Sequence, residues 1–320
     1  MLDTIRISAE QVAMLFVLIG LGVILRRLHI FEGKGISCVT DILFYIISPC
    51  IIIDRLVRTA SENGANAFKV LGWSALAACI GFAVLLALVT LFFIGKHSKD
   101  INAVKYATIF ANMGFMGIPL VEGILGPDAA AYVSVSVAVF TVLNFILGIS
   151  LFTDDRKKLS SVILNPGTIA IIIALGLIVL PVDVYNNEVF GIVMKPINWL
   201  ASAQTPMSMM LCGAILGGST LKGLFKDKYI WISTGLRLVV LPAFTTAALL
   251  ALPLIMPIPQ DIVVAMSIAF ACPSAVAGAM FAEKFGGNTD LLTKATAITT
   301  LLSIITIPLV CAACNMVYPM

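Results

Sequence analysis

The sequence predicts an all-α polytopic membrane protein: ten transmembrane helices as two inverted five-helix repeats, with broken crossing helices 4 and 9. Three observations carry this. Apolar residues make up 60% of the 320-residue chain, charged residues 12%, and the mean hydropathy is +1.06. Soluble chains run at about 45–50% apolar and about 25% charged. The apolar residues also fall into ten segments of membrane-spanning length, joined by short loops. Finally, the second half of the chain echoes the first at matching positions.

The first segment, 9–28, runs through VAMLFVLIGLGVIL and ends on Arg26 and Arg27. A signal peptide carries its positive charge before the apolar run, so this segment is expected to stay as a span. The second, 36–56, contains Ser48 and Pro49; the third is 68–95. The fourth, 101–123, contains FANMGFMGIPL (110–120), where Asn112, Gly114, Gly117 and Pro119 all work against a helix in lipid. The fifth, 129–153, carries Tyr132 and Ser136 and completes the first repeat, 1–153. A short linker, 154–165, leads into the second repeat, 166–320. Its segments are 166–182, 189–217 with Thr205 and Pro206, 229–254 with Arg237, 260–282 with Pro273 and Gly278, and 289–316.

Positive charge orients the spans. Arg26, Arg27, Lys34, Lys96, Lys99, Lys105, Arg156, Lys157, Lys158, Lys222, Lys226, Lys228, Lys284 and Lys294 fall at the odd-numbered loops. Only Arg6, Arg55, Arg58, Lys69 and Lys195 fall on the other side. The excess places the odd loops in the cytoplasm and both termini outside the cell membrane.

The internal echo pairs FANMGFMGIPLVEGILG (110–126) with FACPSAVAGAMFAEKFG (270–286), and ISPCIII (47–53) with QTPMSMM (204–210). Five spans per half would insert the second copy upside down. Inverted repeats with interrupted helices at matching places point to a secondary transporter with its site near the midplane. Broken backbone at that depth is tolerated only where protein or a water-filled cavity satisfies it. The substrate-binding candidates are therefore Asn112, Gly114, Gly117 and Pro119 in the fourth segment, and Cys272, Pro273 and Gly278 in the ninth. Asn112 and Cys272 align in this echo. Ser48, Thr205, Tyr132 and Ser136 are hydroxyl candidates nearby, although such hydroxyls commonly bond their own backbone. Ionisable groups in spans are costly, which makes Asp41, Glu122 and Arg237 the coupling candidates.

Other chemistries lack their residues. There is no HExxH, GxSxG or Walker loop, and His29 and His97 lie in basic loops. The CAAC at 311–314 sits in an apolar helix without a second ligand pair, so no metal or other cofactor is expected. The formal charge of +3 makes no case for a nucleic-acid partner.

The string NMGFMGIPL (112–120), the prolines of SPC and TPM, and the tail from ACPSAVAGAMFAEKFGGNTD to ITIPLV (271–310) resemble the auxin efflux carrier family. The resemblance covers nearly the whole chain. It implies the ten-span inverted repeat, a homodimer, and elevator-like carriage of a small organic anion, with malate- or malonate-like carboxylates as the bacterial expectation. The long hydrophilic central loop of the plant members is missing, so auxin is not carried over. Two rivals stay open: a sodium-coupled symporter of the bile-acid type, and a non-transporting membrane sensor on the same scaffold.

Overall fold

A computed structural model describes residues 2–148, 150–153, 166–218 and 227–319. The expected linker 154–165, with Arg156, Lys157 and Lys158, lies outside the described residues, as do Lys222 and Lys226. Where described, the chain is built of helices, and six are long and apolar enough to cross a membrane: Arg6–Arg27, Lys34–Asn63, Ala67–Phe92, Pro127–Gly148, Lys228–Leu254 and Thr289–Val317. They coincide with the first, second, third, fifth, eighth and tenth expected segments. The intervening segments consist of shorter helices, because that is where prolines, glycines and amides interrupt the apolar runs.

In chain order, α1 is Leu2–Arg27. Helix α2 (Lys34–Ile42) passes through a π-turn into α3 (Ser48–Asn63). Next come α4 (Ala67–Phe92), α5 (Lys99–Ile109), α6 (Ile118–Leu125) and α7 (Pro127–Leu143). Helices α8 (Pro166–Ile178), α9 (Glu188–Ser202) and α10 (Gln204–Gly218) follow. The chain closes with α11 (Lys228–Gly235), α12 (Leu241–Ala251), α13 (Gln260–Phe270), α14 (Ala277–Phe285) and α15 (Thr289–Val317). Four helices, α5, α9, α11 and α15, are capped by side chains. Ser98 accepts from Ile101 N, Asn187 from Val189 N, Asp227 from Tyr229 N and Asn288 from Leu291 N.

Two packing arrangements matter for the site. Helices α1 and α10 touch backbone to backbone: a Cβ at Gly22 would stand 2.0 Å from Met210 O, and one at Gly213 would stand 1.9 Å from Ile19 O. Small residues permit this approach where lipid offers no hydrophobic drive between helices. Helices α4, α7, α12 and α15 surround the broken pair and share its large apolar core. A second cluster, with Ile52, Leu56, Ala174 and Met194, joins α3 to α8 and α9. Large apolar side chains stand on the outside, among them Val17 at 72%, Ile192 at 76% and Leu254 at 81% exposure. That density of exposed apolar surface suits lipid rather than water.

Candidate substrate site

The two broken segments meet. Helix α5 stops at Ile109 because Phe110 turns extended, at φ −93° and ψ 107°. Helix α13 stops at Phe270, before Pro273, which has no N–H to continue a ladder. The freed strands pair antiparallel, Ala111 opposite Ser274. Asn112 N donates to Pro273 O at 2.7 Å and Ala275 N donates to Phe110 O at 2.9 Å. By this exchange the counterpart of Asn112 is Ala275, not the aligned Cys272. The alignment of the sequence echo differs from this pairing by three residues.

Several of the carbonyls freed by the breaks find side-chain donors. Ser274 Oγ donates to Ala107 O at 2.8 Å. Arg237 is fully buried in a π-turn, Leu236–Val240, and donates from Nε to Cys272 O and from Nη1 to Thr108 O, both at 2.9 Å, and from Nη2 to Phe270 O. Gln204 Nε2 donates to Gly114 O at 3.1 Å. Buried main-chain groups need such partners, and side chains supply them where the helix cannot. The helix starts at the crossing carry no such donor or acceptor from a side chain. Neither the π-turn Met113–Gly117, which opens after Asn112, nor α14, which opens after Val276, has a side-chain cap. Their first N–H groups form the positive ends of helix dipoles.

A cleft lies against this crossing, with a cavity volume of ≈ 70 Å³. That is well below the usual range for a small-molecule site, about 300–1,000 Å³, so the cleft is narrow as it stands. Ala111, Asn112, Gly114, Phe115, Ala275 and Ala277 come from the broken segments; Phe44, Ser48, Ile51 and Ile52 from the second span; Val137, Phe140, Thr141 and Asn144 from the fifth; Gln204 and Gly167 complete it. The wall is mostly apolar, with amides at three places. Asn112 is 4% exposed and its Nδ2 has no hydrogen-bond partner among the described residues; Gln204 is 1% exposed and its Oε1 has none there either. Asn144 accepts from Tyr106 Oη through Oδ1 at 2.7 Å.

Of the sequence candidates, Asn112, Gly114 and Ser48 line the cleft. Gly117 and Gly278 serve packing just behind it. A Cβ at Gly278 would lie 2.5 Å from the Tyr106 ring, and one at Gly117 would lie 3.2 Å from Met113 Cβ and 3.5 Å from Cys272 Sγ. Pro119 sits in the first turn of α6, beyond the break rather than in it, and Pro273 contributes its carbonyl. Cys272 is buried, with its sulfur towards Ile268 O. Thr205 does not line the cleft; its neighbour Gln204 does. Ser136 spends its hydroxyl on Val133 O at 2.7 Å, and Tyr132 belongs to a separate cleft with Asp128 and Asp261. The face that α7 turns to the site is Val137, Phe140 and Thr141, continued by Asn144 in the π-turn that follows it.

The coupling candidates separate as well. Asp41 is exposed on α2, away from the cleft. Glu122 accepts from Arg55 Nη2 through both oxygens, at 3.0 and 2.8 Å, tying α6 to α3. Arg237 braces both breaks. Sequence reasoning missed Gln204 and Asn144, although the signal that singled out Asn112, a carboxamide in an apolar run, marks both.

Comparison with known proteins settles the class. A membrane transport protein family model, the auxin efflux carrier-like family, matches residues 7–162 and again 156–311. The chain belongs to this family. It is also 23% identical over 264 residues to an uncharacterised transporter of Methanocaldococcus jannaschii, a match covering 76% of this chain and 80% of that one. This member of the family is a multi-pass membrane transporter, and its broken, paired helices lie where the match is made.

Proposed function

We propose that the protein is a secondary carrier of a small organic anion, with carboxylates the favoured class, working by elevator-like alternating access in the cell membrane. The reading includes ten spans in two inverted five-helix repeats, outward termini and a homodimer. One observation carries it: the buried, unpartnered Nδ2 of Asn112 faces a cleft beside two uncapped helix starts. Donors and positive dipole ends without an acidic side chain among the described lining residues favour an anion. The reciprocal bonds of Asn112 with Pro273 and of Ala275 with Phe110 support a two-fold relation between the halves, and so does the double family match.

The test is uptake of radiolabelled malonate and malate into proteoliposomes, with sodium replaced by choline in a parallel arm. Saturable, concentrative uptake that survives the replacement is expected. Asn112→Ala, inserted normally, should reduce uptake at least about tenfold, in line with about 1.5–3 kcal/mol for a hydrogen bond to a charged group. Wild-type rates in the variant would remove Asn112 from the site. Sodium dependence would favour the symporter reading, and absence of uptake the sensor.

A further inference from the structure

Arg237 is 0% exposed, and among the described residues no carboxylate forms an ion pair with it. Its three nitrogens each bond a main-chain oxygen instead: Cys272 O, Thr108 O and Phe270 O. Dipoles solvate the guanidinium but leave its charge in place. An unpaired buried cation is expensive, and retaining one calls for a reason beyond stability.

The three oxygens locate that reason. They terminate α5 and α13, the two helices that run into the crossing, and helix C-termini carry the negative end of the dipole. A crossing of two broken helices on its own offers two positive starts and two negative ends, which gives no preference for charge. Here a single side chain covers both negative ends, while the starts after Asn112 and Val276 stay uncapped. We infer that Arg237 is the charge-selectivity determinant of the crossing: it offsets both negative helix ends, leaves the cleft electropositive, and makes the bound anion its counter-charge without touching it. A lysine, with one compact ammonium, cannot span three carbonyls on two helices, which is what the guanidinium fork does. Arg237 is thus a positioning residue for the break and a source of field for the site.

This inference rests on the reading of the cleft as an organic-anion site, and the experiment separates the two. The purified full chain would be titrated with malonate and with its uncharged analogue malonamide, followed by thermal stabilisation and calorimetry. Wild type is expected to bind the acid at least about tenfold tighter, which is about 1.4 kcal/mol. In Arg237→Met and Arg237→Gln the ratio should fall to within about twofold while the affinity for malonamide is kept; Arg237→Lys should keep part of the preference. A purely structural role would weaken both ligands together and leave the ratio alone. A folded Met or Gln variant with the wild-type ratio overturns the inference and spares the anion site. If neither variant folds, wild type still decides: equal binding of acid and amide overturns it. Binding of neither ligand removes the malonate-like reading of the cleft and this inference with it.

Discussion

At the residue scale the candidate site is a set of carboxamides in apolar surroundings. Asn112 stood out in the sequence because nothing else polar interrupts its run; Gln204 and Asn144 have the same character. Asn144 is also half of a buried pair, since Tyr106 Oη has it as acceptor at 2.7 Å. Replacing one partner of such a pair leaves the other unsatisfied, at about 1–3 kcal/mol, whereas replacing both is nearly neutral. Asn144→Leu is therefore expected to lower the melting temperature by several degrees, and Tyr106→Phe with Asn144→Leu to recover most of it. A double variant no better than the single one would show that the hydroxyl has another acceptor. The hydroxyl candidates were harder to rank. Ser136 and Tyr132 lie on the correct helix, but a turn of about 100° per residue separates Ser136 from the face that meets the cleft, and an apolar helix gives little periodicity from which to read that face.

At the element scale, the two breaks stabilise each other. Pro119 lies in α6 just after the π-turn Met113–Gly117, where Gln204 Nε2 satisfies Gly114 O; the interruption before that turn comes from the pairing of Ala111 with Ser274, across chain positions far apart. The scaffold side depends on another close contact. Gly213→Val would drive a side chain into Ile19 O and force α1 from α10. Overpacking of this kind costs roughly 1–3 kcal/mol or more, and a clear fall in thermal stability is expected; an unchanged melting curve would mean the pair separates freely. Arg55 and Glu122 tie α3 to α6 with side chains 13% and 34% exposed. A double-mutant cycle with Arg55→Gln and Glu122→Gln should return a coupling of about 1 kcal/mol, the upper part of the range for partly exposed pairs. A coupling near zero would make the pair incidental.

At the scale of the whole molecule, one titratable group outside the spans links distant segments. Asp183, between α8 and α9, accepts from Asn186 Nδ2 at 2.9 Å and from Ser61 Oγ at 2.8 Å, so it joins that loop to the end of α3. These bonds, Asn186 first, hold its carboxyl below its ordinary value of 3.8. A lowered folded value means the contribution is present above the unfolded value and is lost as pH falls through the folded one. The stability of this end should therefore be level above about pH 4 and decline below it. Hydrogen exchange of residues 183–187 would show the decline in wild type and a flat profile in Asp183→Asn. Equal profiles would show that Ser61 and Asn186 bond the loop without it.

The sequence by itself determined that the chain lives in a membrane, where its apolar helices fall, which of them are interrupted, and that Asn112 belongs at the interruption. Those properties follow from local composition: hydropathy summed over a span, and residues that cannot continue a helix where water is absent. Only the tertiary structure decided the rest. The register of the two breaks, with Asn112 opposite Pro273 and Ala275 as its counterpart, is a hydrogen-bond exchange between segments about half the chain apart. The roles of Arg237 and Glu122, both legible as costly charges in spans, were set by what lay across from them: helix-end carbonyls for one, Arg55 for the other. A charge announces its cost in the sequence, because desolvation depends on depth. Its partner is a matter of which backbone or side chain packs against it, and that is fixed only when the helices assemble.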